Sequence, residues 1–281
     1  MIAIIGGTGT VGSEVVKQLA ATGAKARVLA RTPDKVLKSA SLETVQGDYS
    51  DAAALDKLLA GVSKLFLLLP SIPGSVESAS KVVEAAKRAG VKHVVRLSVL
   101  GVDTNSPAQL SRWHAETEQN LKASGLAWTM LQPTSFAQNF LRSAATIKKD
   151  GTFFGAYGEG KMCLIDARDI AAVAVKALTS DGHEGKSYPL TGQEPLTNAE
   201  LAAKLGAALG TKVTYVNLPP DKLKQGMLAA GVPEWLAADF MAMQGWTANG
   251  HSAKPDPTLP SLIGKVRNFD DFLATYAAAF K

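Results

Sequence analysis

Short apolar runs alternate with segments whose apolar residues recur at helical spacing. Ile2–Ile5 is apolar throughout, as suits a parallel strand buried on both faces. Ser13–Ala21 then sets Val15, Val16 and Leu19 on one helical face. The same alternation predicts strands at Ala26–Ala30, Glu43–Val45, Lys64–Leu69, His93–Ser98 and Ala127–Leu131. Helices are predicted at Ala52–Leu59, Val76–Ala89 and Arg112–Ala123, with a weak one at Pro33–Lys38. Punctuation agrees with the periods. Ser50 or Asp51 is a cap, Gly90 and Gly125 end helices, and Pro70 and Pro133 stop strands. Strand–helix–strand succession of this kind predicts an α/β fold built on a doubly wound parallel sheet.

After Pro133 the alternation loosens, and Gly151, Gly155, Gly158 and Gly160 divide short segments. A helix is predicted at Asp169–Leu178, and Ser187–Leu190 reads as a strand returning to the main sheet. Thr197–Leu209 is a capped helix, Val213–Asn217 a short strand, and the rest mostly helical. Two domains are expected. Residues 1–133 and about 170–192 form the sheet domain, and about 134–169 with 193–281 form a smaller α/β lobe.

The turn after the first strand carries the clearest chemistry. Gly6-x-x-Gly9-x-x-Gly12 lies between strand and helix, where N–H groups of a helix N-terminus receive a pyrophosphate. Gly6 permits the turn, Gly9 lets phosphate approach the backbone, and Gly12 lets helix and strand pack closely. Thr8, Thr10 and Val11 complete the loop. A triphosphate-binding loop would need lysine after Gly12, and Ser13 stands there. The expectation is a Rossmann domain binding a dinucleotide. Strand Ala26–Ala30 runs into Arg31, where an NAD site would usually place Asp or Glu. A guanidinium there suits a 2′-phosphate, so the expected cofactor is NADP(H). Asp48, in Gly47-Asp48-Tyr49, is a candidate for the adenine edge or simply a turn residue. Leu68, Leu69 and Pro70 lie at the same sheet edge, and their backbone is expected beside the nicotinamide-side ribose. Pro133, Thr134 and Phe136 follow the sixth strand and are expected near the nicotinamide.

Composition adds little to this. Of 281 residues, 46 % are hydrophobic and 20 % charged, within the globular range. The formal net charge of +5 comes without a Lys/Arg block, so no nucleic-acid partner is expected. Leu65–Leu69 is too short to cross a bilayer, so no membrane partner is expected either. The first strand begins at Ile2 and there is one cysteine, Cys163, so no leader and no internal disulfide are expected, and a cytoplasmic setting fits. Four scattered histidines offer no metal-ligand spacing.

Reductases of the short-chain class use Ser…Tyr-x-x-x-Lys. Here Ser98 ends a strand where the serine would fall, but no Tyr-x-x-x-Lys exists. His114 and Glu118 stand one helical turn apart instead, and Ser98 and His114 are the candidate catalytic residues. With Gly6–Gly12, the segments Gly47-Asp48-Tyr49, Ala89-Gly90-Val91-Lys92-His93, His114-x-Glu116-Thr117-Glu118, Gly182-His183-Glu184-Gly185-Lys186-x-Tyr188 and Leu262-Ile263-Gly264 resemble the NmrA-like atypical short-chain reductases. The similarity is greatest to the bacterial quinone reductase and triphenylmethane reductase branch. The resemblance implies NADP(H) binding, a small aromatic or quinone substrate, and a monomer or homodimer. It also brings an alternative, because the family includes NADP(H)-binding redox sensors that are not enzymes. Ala115 stands where the plant isoflavone-reductase branch uses lysine. A missing tyrosine disfavours simple ketones, whose reduction makes a very basic alkoxide. A quinone gives a phenolate, whose pKa is only about 10.

Overall fold

The structure is a computed structural model and describes residues 1–281. The chain runs β1 (Ile2–Ile5), α1 (Thr10–Thr22), β2 (Ala26–Ala30), β3 (Leu42–Gln46), α2 (Ala52–Leu59), β4 (Lys64–Leu67), α3 (Ser75–Arg88), β5 (His93–Leu97), α4 (Gln109–Ala123) and β6 (Ala127–Pro133). Then come α5 (Ala144–Asp150), β7 (Thr152–Gly155), β8 (Met162–Cys163), α6 (Ala167–Thr179), β9 (Lys186–Leu190), β10 (Pro195–Leu196), α7 (Asn198–Leu209) and β11 (Thr214–Asn217). Four helices close the chain: α8 (Pro220–Ala229), α9 (Glu234–Ala248), α10 (Thr258–Ile263) and α11 (Phe269–Tyr276). It divides into two compact units. The first holds Met1–Asn105, Leu110–Pro133 and Ala167–Pro189; the second holds Ser106–Gln109, Thr134–Asp166 and Leu190–Lys281.

The first unit is built on a seven-stranded sheet in the order β3-β2-β1-β4-β5-β6-β9. The pairings from β3 across to β6 are parallel. Strand order reverses between β1 and β4, so the crevice above their carboxyl ends is where an open sheet of this kind takes a ligand. Strands buried on both faces explain the unbroken apolar runs. Ile5, Leu65 and Leu67 pack with Leu58, Leu59, Val82, Ala86, Val94, Leu121 and Met130 in one core. The strand expected to return to the main sheet does so as β9, and it lies at the sheet's edge next to β6.

Two expectations shift in detail. β4 stops at Leu67, before Pro70 enforces it: Leu68 N still donates to Ile5 O (3.2 Å), but the chain leaves the sheet there, alongside the turn at Gly6. The weak helix at Pro33–Lys38 is a single 3-10 turn, Pro33–Lys35, none of whose residues is buried.

The second unit holds two two-stranded sheets, β7 with β11 in parallel and β8 with β10 antiparallel. Its core joins Phe153, Leu201, Leu205, Phe269, Phe272 and Phe280, with Phe140 packed edge-on to Phe153 and Phe269 at 5.3 Å. α7 begins in a capping box in which Thr197 Oγ1 accepts from Glu200 N and Glu200 accepts from Thr197 N.

Candidate active site at the sheet's carboxyl edge

The glycine loop is shaped by contacts that only glycine allows. Gly6 has φ of 86°, a left-handed conformation, and a Cβ there would strike the Leu68 carbonyl. A Cβ on Gly12 would overlap the Gly6 carbonyl, so α1 starts directly on the turn. Gly9 is the least crowded of the three, with only the Gly6 carbonyl oxygen within 4 Å of a Cβ placed there, at 3.6 Å. It is also the N-cap of α1, with no side-chain cap and no acidic residue in the first turn. The first-turn N–H groups, those of Thr10, Val11 and Gly12 among them, therefore have no carboxylate competing for them. At α2, by contrast, Asp51 takes the N–H groups of Ala53 and Ala54. Thr8, Gly9 and Thr10 are exposed, and Val11 is buried as the anchor of the helix. A dinucleotide pyrophosphate fits this cradle in shape and in sign of potential.

Arg31 leaves the end of β2 with its side chain 84 % exposed, and its Nε lies 3.9 Å from Asp48 Oδ2. Asp48 is already used locally: Oδ1 accepts from Ser50 N (3.0 Å) and Ser50 Oγ (2.9 Å). It is a turn residue, with its second oxygen directed at Arg31. On the other side of the glycine loop, Leu68 and Leu69 are partly buried and Pro70 is exposed.

The two candidate catalytic side chains are both engaged. Ser98 is 1 % exposed, and its Oγ donates to Glu118 Oε1 at 2.6 Å. Glu118 also accepts from Gln132 Nε2 (2.9 Å) and pairs with Lys122 Nζ (3.3 Å). His114 is held at both nitrogens. Arg96 Nη2 lies 3.0 Å from Nδ1, and Ser71 Oγ lies 3.0 Å from Nε2. Burial, reinforced by the Arg96 charge, brings the His114 pKa down to about 3. The ring is therefore neutral at ordinary pH. His114 and Glu118 share a helix face, but each is committed to different partners. A cavity of ≈ 20 Å³, lined among others by Leu69, Pro70, Ser71, Arg96, Trp113 and His114, opens beside them.

Arg96 and Ser71 were not singled out from sequence. The available signal for Arg96 was a lone cation inside the buried run His93–Ser98. Ser71 had none. In the second unit, Thr134 is 7 % exposed and its Oγ1 donates to Cys163 O (2.6 Å), while Phe136 bridges Ile165 and stays partly exposed. Pro133 is buried and its carbonyl accepts from Leu100 N (2.9 Å). Cys163 is fully buried, which raises its thiol pKa to about 11 and makes it inert. Met227, Phe240, Met241, Met243 and Trp246, on α8 and α9, are all partly exposed.

Known proteins resemble this chain over nearly its whole length. The NAD(P)H-binding family model matches residues 6–181. The NAD(P)H azoreductase of Xenophilus azovorans is 41 % identical, over 100 % of this chain and 99 % of that protein. The NADPH-dependent quinone oxidoreductase QOR2 of Escherichia coli, solved with NADPH, superposes with a TM-score of 0.87 at 34 % identity, covering 98 % of this chain and 99 % of the other. The triphenylmethane reductase of Citrobacter sp., solved with NADP(H), gives 0.84 at 28 %, covering 98 % and 99 %. The chain belongs to the NAD(P)H-binding family and is an NAD(P)H-dependent reductase related to these enzymes.

Proposed function

We propose that the enzyme prefers NADPH and passes hydride to quinones or similarly conjugated, electron-poor acceptors. One observation carries this reading: the α4 position that bears tyrosine and lysine in short-chain reductases offers no acidic proton. His114 is neutral and tied to Arg96 and Ser71, and Glu118 is an acceptor for Ser98, Gln132 and Lys122. A positioned general acid contributes about 10²–10⁴ in rate, and a ketone reduced to an alkoxide forfeits all of it here. A quinone reduced to a phenolate forfeits little, because the conjugate acid of its product oxygen has a pKa of only about 10, so that oxygen is far less basic than an alkoxide. The relatives named azoreductase, quinone oxidoreductase and triphenylmethane reductase all take their names from reducible conjugated systems.

When bound, the dinucleotide supplies the hydride; the chain supplies position and charge. The α1 N-terminus and Gly9 hold the pyrophosphate, and Arg31 answers the 2′-phosphate. Asp48 directs Arg31 while the Leu68–Pro70 backbone flanks the nicotinamide-side ribose. Pro133, at the end of β6 in the same unit, is assigned to the nicotinamide end. In this reading Ser98 acts by holding Glu118, and His114 by orienting its neighbours. Steady-state NADPH oxidation with a naphthoquinone, an azo dye and cyclohexanone tests the proposal. Rapid turnover of the first two and little of the third is expected. Comparable turnover of cyclohexanone refutes it. No turnover of any acceptor, with a large affinity gap between NADP⁺ and NADPH, assigns the chain to redox sensing instead.

A further inference from the structure

Arg96 is 6 % exposed, and a buried guanidinium is costly unless its donors are answered. Glu118 supports its charge, and although burial brings its pKa down to about 10 it stays cationic at neutral pH. A guanidinium donates and never accepts. Since Nη2 faces His114 Nδ1 at 3.0 Å, Nδ1 must accept and the ring proton must sit on Nε2. Nε2 therefore donates to Ser71 Oγ, 3.0 Å away. The hydroxyl proton of Ser71 is thereby turned away from His114 and left free to be donated. The chain Arg96 → His114 → Ser71 has a single polarity, and the low pKa of His114 preserves it across neutral pH.

Position says where that donor points. Ser71 lies in the turn after β4, and this turn packs on the glycine loop through the Leu68 N to Ile5 O bond and the Gly6–Leu68 contact. Arg31 and Asp48 flank the same loop from the β2–β3 side. A dinucleotide whose pyrophosphate rests on the α1 N-terminus, with its adenosine toward Arg31, must extend its other half over β4 and β5. We propose that Ser71 is a hydrogen-bond donor to a ribose hydroxyl on the nicotinamide half of the bound dinucleotide, and that His114 and Arg96 are positioning residues that set the direction of that bond. This rests on NAD(P)H lying across the glycine loop and not on the identity of the acceptor.

The test is NADPH affinity by fluorescence titration, beside adenosine 2′,5′-bisphosphate, which lacks the nicotinamide half. Ser71→Ala and His114→Ala should each weaken NADPH about three- to tenfold, as expected for one neutral hydrogen bond. Both should leave the bisphosphate within about twofold, inside ordinary coupling error. The double variant should be no worse than Ser71→Ala alone, because the two act through one bond. His114→Gln, whose amide both accepts and donates, should restore NADPH binding. Unchanged NADPH affinity in Ser71→Ala overturns the proposal. So does equal weakening of the bisphosphate, or a folded His114→Gln protein as weak as His114→Ala. If this pattern appears in an enzyme that reduces no quinone or dye, the acceptor assignment falls and the present inference is upheld.

Discussion

Replacing His114 with glutamine should change how stability depends on pH. In the folded protein His114 stays neutral down to about pH 3, because burial and the Arg96 charge oppose its protonation. In the unfolded chain the same imidazole takes a proton near pH 6.5. Between those values the unfolded state binds more protons, so stability falls as pH falls. The contribution of this histidine is complete above about pH 6.5 and is lost progressively toward pH 3. Each pH unit is worth about 1.4 kcal/mol, so acidification from about pH 6.5 to 5 removes up to about 2 kcal/mol. His114 as a residue is only partly buried, and screening reduces this to about 1 kcal/mol. His93 and His183 are depressed by burial as well and act with the same sign. They remain in the variant, so the difference between the two proteins isolates His114. Urea unfolding of both at several pH values across this window reads it directly. The wild type should lose about 1 kcal/mol more than His114→Gln on acidification. Parallel pH profiles would refute the reasoning, since they require His114 to titrate normally in the fold.

Other consequences are as specific. Arg31→Ala should lower the preference for NADPH over NADH by roughly ten- to a hundredfold, the worth of one charge-assisted hydrogen bond of about 1.5–3 kcal/mol, measured by titrating both cofactors. Gly12→Ala should weaken NADPH by more than about tenfold, because its Cβ displaces the Gly6 carbonyl; the same titration, with circular dichroism confirming the fold, checks it.

The dinucleotide half was legible in sequence because its physics is local. A strand buried on both faces must be apolar, a helix needs its 3.6-residue stripe, and the close approach of Gly12 to Gly6 admits no side chain. These demands wrote Ile2–Ile5, Val15–Leu19 and the three glycines into the chain. The second unit was less legible because β7, β8, β10 and β11 are two to four residues long, too short for a period to declare itself. At the site, sequence spacing correctly set His114 and Glu118 on one face but could not say what faced them. Ser71 is 43 residues from His114, and Arg96 is 18 away. Their meeting is decided by packing of α4 and the β4 turn around β5, which no pattern within either segment reports. The same holds for Ser98, whose buried hydroxyl donates to Glu118, 20 residues on.

The acceptor assignment turns on the proton that α4 does not supply, and the pH dependence of kcat for paired substrates tests it most directly. With NADPH saturating, a naphthoquinone should be reduced with kcat nearly flat between about pH 6 and 8, a range in which His114 stays neutral and no tyrosine acid is present. Cyclohexanone should give no turnover above background at any pH. A bell-shaped profile for the quinone with an essential acid near pH 7, or cyclohexanone reduced at a comparable rate, would mean that a proton donor operates and would contradict the account.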